Sequence, residues 1–310
     1  VSRRFLVTGG CGFIGSHLTI ALLARGDAVV VIDDLSSGVR TNLPVTDDRL
    51  DCIVARAQDV DLAGLGPFHG AFHLAAQASV PLSIEQFYDS SMTNLASTLR
   101  VMAHCSQAQV PLVYASSSAV YGNLPLGDEA GAIDLLSPYA ADKFTSEVYA
   151  AMAQTLYGLR SYGLRFFNVY GPRQPPDSPY SGVIAIFVGR LLMGEALHIN
   201  GGHQTRDFVF VADVVRGLLA AHAYLENRAV ATCSNLLTGR SISIDQLADQ
   251  LSAIVGVTPE RVYRALPAGD PAASLGDRRL MDRQLELGAM TSLEDGLTAT
   301  IDWMRRLHEG

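Results

Sequence analysis

The segment Thr8-Gly9-Gly10-Cys11-Gly12-Phe13-Ile14-Gly15 constrains this chain more than any other. An apolar stretch over 5–8 precedes it and reads as a strand. A helical pattern over 15–25 follows, with Leu18, Leu22 and Leu23 at helical spacing. Glycines at 9, 12 and 15 let backbone approach a pyrophosphate that rests on a helix N-terminus. The next apolar run, 28–33, ends in Asp33, 18 residues beyond Gly15. A carboxylate there accepts both hydroxyls of an adenosine ribose and repels a 2′-phosphate. The turn therefore implies a dinucleotide, NAD rather than NADP. Cys11 reads as a small filler in the turn, with nothing nearby to favour a thiolate.

The first half goes on alternating apolar runs with helical patterns, which is the signature of a parallel sheet. Strands are expected at 52–55, 70–74, 111–116 and 164–168, and helices at 89–107 and 139–157, the last stopping at Gly158. Prolines at 172, 175, 176 and 179 turn the chain into a loop and mark a change of pattern. The expected fold is α/β, a doubly wound parallel sheet of Rossmann type with a smaller C-terminal α+β substrate domain. Residues 1–170 would form the NAD-binding domain, with 206–238 returning to it. Residues 171–205 and 239–310 would form the second domain.

Of 310 residues, 48% are hydrophobic and 17% charged, enough to build a large core. The formal net charge of -8 argues against a nucleic-acid binder, which needs a basic footprint. Cys11, Cys52, Cys105 and Cys233 are too sparse for a disulfide framework and lack metal-ligand spacing. No metal is expected. No apolar run reaches the ~18 residues of a membrane span and no signal segment is evident, so the expected location is cytoplasmic.

The chain has a single lysine, Lys143, and it lies four residues after Tyr139. On a helix the two share one face. An ammonium beside a phenol stabilises the phenolate and lowers its pKa. Such a tyrosine can take a proton from a sugar hydroxyl while hydride leaves the same carbon. Ser116, Ser117 and Ser118 follow a strand whose C-terminal end faces the ligand edge of such sheets.

Taken with His73-Leu74-Ala75-Ala76-Gln77-Ala78, Val120-Tyr121-Gly122, Arg165-Phe166-Phe167-Asn168-Val169-Tyr170-Gly171-Pro172-Arg173-Gln174 and Thr205-Arg206-Asp207-Phe208-Val209, these motifs resemble the extended short-chain dehydrogenase/reductases. Within that family the sequence is similar to the UDP-sugar 4-epimerases, most of all the branch acting on N-acetylhexosamines. The resemblance implies that Tyr139 is the base, Lys143 its electrostatic partner and Ser117 the bridging hydroxyl. It places NAD against Gly9, Gly12, Phe13, Ile14, Gly15, Asp33, Asp34 and Ser36. Asp59 and Val60 would flank the adenine, and Leu74, Ala75, Ala76 and Asn94 would line the cofactor together with Tyr139 and Lys143. The UDP-sugar would meet Asn168 and Arg206 at its diphosphate and Asp270 at its ribose. Ala78, Ser118, Gln174, Gly182, Val183, Leu197, Ile199 and Ser274 would complete the site. Ser274 occupies the position that sets pocket size, and a small residue there leaves room for an N-acetyl group. The family's second diphosphate-binding arginine is missing before Gly269-Asp270, with Arg264 and Arg278 as candidate substitutes. A homodimer paired through the helices near 90–105 and 139–157 is also implied.

Two reactions share the oxidation at C4. The first is 4-epimerisation of UDP-GlcNAc or UDP-GalNAc. The second is dehydration of UDP-GlcNAc, 5,6 or 4,6. The Asp-Glu pair of the 4,6-dehydratases is replaced here by Ser118-Ala119, against that route, while an exo-glycal-forming enzyme similar to that of tunicamycin biosynthesis stays open. A third reading, a non-catalytic NAD-binding regulator, conflicts with the intact Tyr139, Lys143 and Ser117.

Overall fold

The computed structural model describes residues 2–176, 182–266 and 271–309. The chain begins with β1 (Arg4–Thr8), α1 (Phe13–Ala24), β2 (Ala28–Asp33), β3 (Leu50–Val54) and β4 (Gly70–His73). Next come α2 (Val80–Glu85), α3 (Phe87–Ala108), β5 (Leu112–Ser117), α4 (Pro138–Tyr157) and β6 (Ser161–Phe166). They are followed by β7 (Asn168–Tyr170), α5 (Val183–Leu192), β8 (Leu197–Asn200), β9 (Thr205–Phe210), α6 (Val211–Leu225) and β10 (Ala231–Leu236). The last elements are β11 (Ser241–Ser243), α7 (Ile244–Val255), β12 (Arg261–Arg264), β13 (Ala273–Ser274), α8 (Arg279–Leu285) and α9 (Leu293–Glu309).

The run Ala28-Val29-Val30-Val31-Ile32 has no polar face because β2 is covered on both sides. Val29 and Val31 join one apolar cluster with Val7, Phe72 and Val113, while Val30 and Ile32 join another with Leu6, Ala71 and Leu112. The alternation follows from side chains leaving a strand on opposite faces. Seven strands pair in parallel in the order β10-β6-β5-β4-β1-β2-β3. This is the doubly wound sheet implied by the sequence. From β1 the chain first builds outward through β2 and β3, then returns to the other side of β1 as β4. Such a reversal leaves a crevice at the C-terminal strand ends, and the glycine turn opens onto it.

A smaller sheet of order β11-β9-β13, with β7 beside β9, forms near this edge, and β8 pairs with β12. A third apolar cluster lies beneath it, built on α5, α7 and α9. The run 164–168, expected as one strand, divides into β6 and β7. Phe167 N still donates to Leu236 O of the large sheet, and Asn168 is already paired with Phe208 in the small one. The chain thus changes sheets at a single residue. Later it re-enters the large sheet through α6, which packs on α1, and β10, whereas β9 belongs to the small sheet. Among the described residues, no helix is long and apolar enough to cross a membrane.

Two helix starts fix the site. Gly12 is the extended N-cap of α1, so Phe13 and Ile14 are already helical. Ser137 caps α4 by accepting from Ala140 N, Pro138 occupies the first turn, and Gly158 ends the helix at φ +71°. Gly15 has no room for a side chain, since a Cβ would lie 2.0 Å from Gly9 O and 2.8 Å from Gly10 Cα. Gly15→Ala should therefore destabilise the chain by about 2 kcal/mol or more and strip its bound NAD. Urea unfolding and the cofactor content of the purified variant check this; wild-type values in both would refute it.

Candidate active site

The C-terminal end of β5 meets the first turn of α4. There Tyr139 and Ser117 line one cleft. Ser117 Oγ accepts from Ala119 N at 3.1 Å, which fixes its rotamer toward the edge. One turn along α4, buried Lys143 places Nζ 5.7 Å from the Tyr139 ring centroid and donates to Ala115 O at 2.9 Å. Burial pushes the Lys143 ammonium down to about 8, with the Asp142 carboxylate opposing it. The phenol is not lowered as the sequence suggested. Burial raises the Tyr139 pKa, the Ser117 hydrogen bond opposes this, and Asp142 adds to the rise. In the protein alone desolvation sets the direction.

Ser116 faces the opposite way and donates to Glu147, four residues after Lys143 on α4. Glu147 forms a two-pronged buried ion pair with Arg165 of β6, at 2.9 Å and 2.6 Å. Arg165 continues to the Tyr121 hydroxyl at 2.8 Å, and Tyr121 donates to Asn235 Oδ1 at 2.7 Å. Sequence reasoning missed this chain of contacts. Its signal was present, because Tyr139, Lys143 and Glu147 repeat every four residues along one helix face.

A cleft of about 650 Å³ opens beside Tyr139. It brings together Ala78, Ser117, Ser118, Asn168, Arg206 and Ser274, which lie far apart in the chain. Val80, Pro81, Ile84, Leu136 and Leu275 supply an apolar wall. Among its described lining residues Arg206 is the cation, and none is an aspartate, glutamate or histidine.

The crevice at β1 fits a dinucleotide. A Cβ at Gly9 would lie 2.7 Å from Ala75 N, so the turn closes against the segment after β4. The N-terminus of α1 has no side-chain cap and no acidic residue in its first turn, leaving its dipole open to a pyrophosphate. Asp33 sits at the end of β2, held by Cys11 N and Leu35 N at 2.9 Å each. Asp34 instead closes its own turn through Ser36 N and Oγ. Asp59 is exposed and Val60 half-buried beyond β3, while Leu74, Ala75 and Ala76 are half-buried beyond β4. Asn94 is buried as a brace between Gln77 and Asp142, so its amide contacts in this chain are structural.

Other expected positions do not reach the cleft. Leu197 and Ile199 are fully buried in the third apolar cluster, because alternate residues of β8 face inward there. Val183 packs against the same cluster. Gln174 donates to Val169 O and lies against Gly182, outside the cleft lining. Arg278 is held by both carboxylate oxygens of Asp282 and by Thr238 O, and Arg264 is exposed on β12. Neither takes the place of a second diphosphate cation. Asp270 lies outside the described residues.

The profile of the NAD dependent epimerase/dehydratase family matches residues 5–232. The chain belongs to that family. It is an NAD-dependent enzyme rather than a regulator. Over 312 residues it is 36% identical to a UDP-glucose 4-epimerase of Mycolicibacterium smegmatis, covering 97% of this chain and 98% of that one. A UDP-N-acetylglucosamine 4-epimerase from Methanobrevibacter ruminantium, solved in complex with UDP-N-acetylmuramic acid, superposes with a TM-score of 0.94 at 33% identity, covering 99% of each chain. The NAD dependent NDP-hexosamine 5,6-dehydratase TunA, involved in tunicamycin biosynthesis, superposes with a TM-score of 0.86 at 31% identity, covering 98% of each.

Lys143 loses its proton as pH rises through about 8. The free enzyme then loses the charge that supports a phenolate, so kcat/KM should fall on the alkaline side of that value. In Lys143→Arg the cation persists and this limb should move up by at least ~1 pH unit, even where the rate itself drops. A pH profile of both forms checks the assignment; an alkaline limb that stays in place would refute it.

Proposed function

We propose that this enzyme is a 4-epimerase that interconverts UDP-GlcNAc and UDP-GalNAc. The observation that supports this best is the acid–base inventory of the cleft. Tyr139 stands at its floor beside Ser117, and no carboxylate or imidazole joins them among the described lining residues. Epimerisation needs one group to remove and return the proton on O4. Dehydration needs a further group to take the C5 proton and expel the leaving hydroxyl.

The glycine turn and Asp33 would hold NAD, which would supply the hydride acceptor for C4 and the donor for its return. Tyr139 takes the O4 proton, with Ser117 sharing it, and holds it at its hydroxyl until the 4-keto sugar has turned over. Lys143 stabilises the phenolate during removal. Asn168 and Arg206 hold the diphosphate, so the sugar can rotate while the nucleotide stays fixed. Ala78, Ala273 and Ser274 leave space for an N-acyl group. Arg206, the cation among the described lining residues, is committed to the diphosphate in this reading, which disfavours a sugar bearing its own carboxylate.

Dehydration is favoured by the likeness to TunA and is the second reading. Proton NMR of UDP-GlcNAc incubated with the enzyme separates the two. A GalNAc-type C4 coupling supports epimerisation, and new vinyl protons would overturn it. Tyr139→Phe should lower turnover by about 10³-fold or more while NAD remains bound. Ser274→Tyr should exclude N-acetylated sugars, and unchanged GlcNAc turnover would remove Ser274 from the pocket.

We also propose a homodimer through α3 and α4, which pack on each other. Phe87 (64%), Tyr88 (71%) and Leu156 (63%) are exposed on them, with Met92 and Tyr157 nearby in sequence. Tyr88→Glu combined with Leu156→Glu should yield a monomer in analytical ultracentrifugation; an unchanged sedimentation coefficient would exclude this face.

A further inference from the structure

The cleft has two lips on different parts of the chain. One carries Tyr121, Gly122 and Leu124, and the other carries Ala273, Ser274 and Leu275. They touch where Gly127 and Gly276 form a parallel bridge, with Gly127 N donating to Leu275 O at 2.8 Å and Asp277 N to Gly127 O at 2.9 Å. The bridge is short, and it needs support from below.

We propose that Asn235 is the positioning residue that sets the separation of these lips and hence the fit of the sugar. Asn235 stands near the end of β10, in register with Arg165 of β6, and is fully buried. Its Nδ2 donates to Gly127 O and to Asp277 O, both at 2.9 Å, so one amide group holds both sides of the bridge. Its Oδ1 accepts from the Tyr121 hydroxyl at 2.7 Å. Its backbone N donates to Glu129 Oε1 at 2.7 Å, fixing the same loop a third time. A primary amide suits this task because it presents two donors and an acceptor in one plane. Through Tyr121, Arg165 and Glu147 the same network reaches α4, which carries Tyr139 and Lys143. Asn235 touches no reacting atom. It acts through the lips, so its effect falls on substrate fit rather than on the proton transfer.

This inference rests on reading the cleft as the sugar site, and the experiment keeps the two apart. Asn235→Asp preserves shape and the Tyr121 contact while replacing the two donated hydrogen bonds with an oxygen facing two carbonyls. In the NAD-loaded protein, amide exchange over 121–131 and 272–279 should accelerate about tenfold or more, with 112–117 and 138–157 unchanged. The KM for UDP-GlcNAc should rise about tenfold or more while kcat stays within about threefold. Gly127→Ala is the second variant, because a Cβ there would lie 2.5 Å from the Tyr121 ring and force the lip outward from its other side. It should reproduce the same exchange and KM pattern, and decides the matter if the first variant does not fold. Unchanged exchange in both segments, or a fall in kcat at constant KM, would overturn the role of Asn235. A wild-type enzyme that leaves UDP-GlcNAc unchanged would overturn the substrate reading alone, since the exchange arm requires no turnover.

Discussion

The two-pronged ion pair between Glu147 and Arg165 holds α4 against the sheet, and the geometry around Tyr139 depends on it. Both partners are buried or nearly so, and removing two charges from water costs several kcal/mol. That cost is offset because almost every donor and acceptor finds a partner, with Ser116 and Tyr121 completing the set. Deleting one partner would leave an uncompensated charge, a loss of about 3–5 kcal/mol. The pair also sets register. It ties β6 to the helix bearing Tyr139 and Lys143, and the Ser116 hydrogen bond to Glu147 ties in β5, the strand that ends in Ser117.

The cofactor crevice and the cleft are positioned by different means. The crevice follows from strand order, which reverses beside β1, and from a turn too tight for side chains. The cleft arises because the chain changes sheets at Phe167. Phe166 pairs with Ser117 in the large sheet, and Asn168 pairs with Phe208 of β9, the strand that carries Arg206, in the small one. One short segment therefore brings Arg206 and Tyr139 to the same cleft.

Much of this was legible in the residues. The glycine turn, Asp33, the repeat of Tyr139 with Lys143, and the large sheet all follow local patterns that physics ties to backbone shape. The epimerase/dehydratase family was legible from motifs in order along 5–225. Three kinds of detail were not. Phe167 is as apolar as its neighbours, so the change of sheets leaves no mark on hydropathy. Leu197 and Ile199 look like any strand residues, and only the position of the α5, α7 and α9 layer shows that they face the core. The acidity of Tyr139 is decided by how deeply it is buried, which spacing along a helix does not reveal.

Lys143 is the only side-chain amine in the chain, and it stands buried beside the Tyr139 ring with its proton loosened to about pH 8. Surface cations are arginines, whose guanidinium groups stay protonated and resist acylation. An amine-directed acylating or reductive-alkylating reagent thus finds a single side-chain target in this molecule, and its extent of labelling reports how far Lys143 is shielded beside Tyr139. The same substitution of arginine for lysine that makes the surface chemically inert makes the interior addressable.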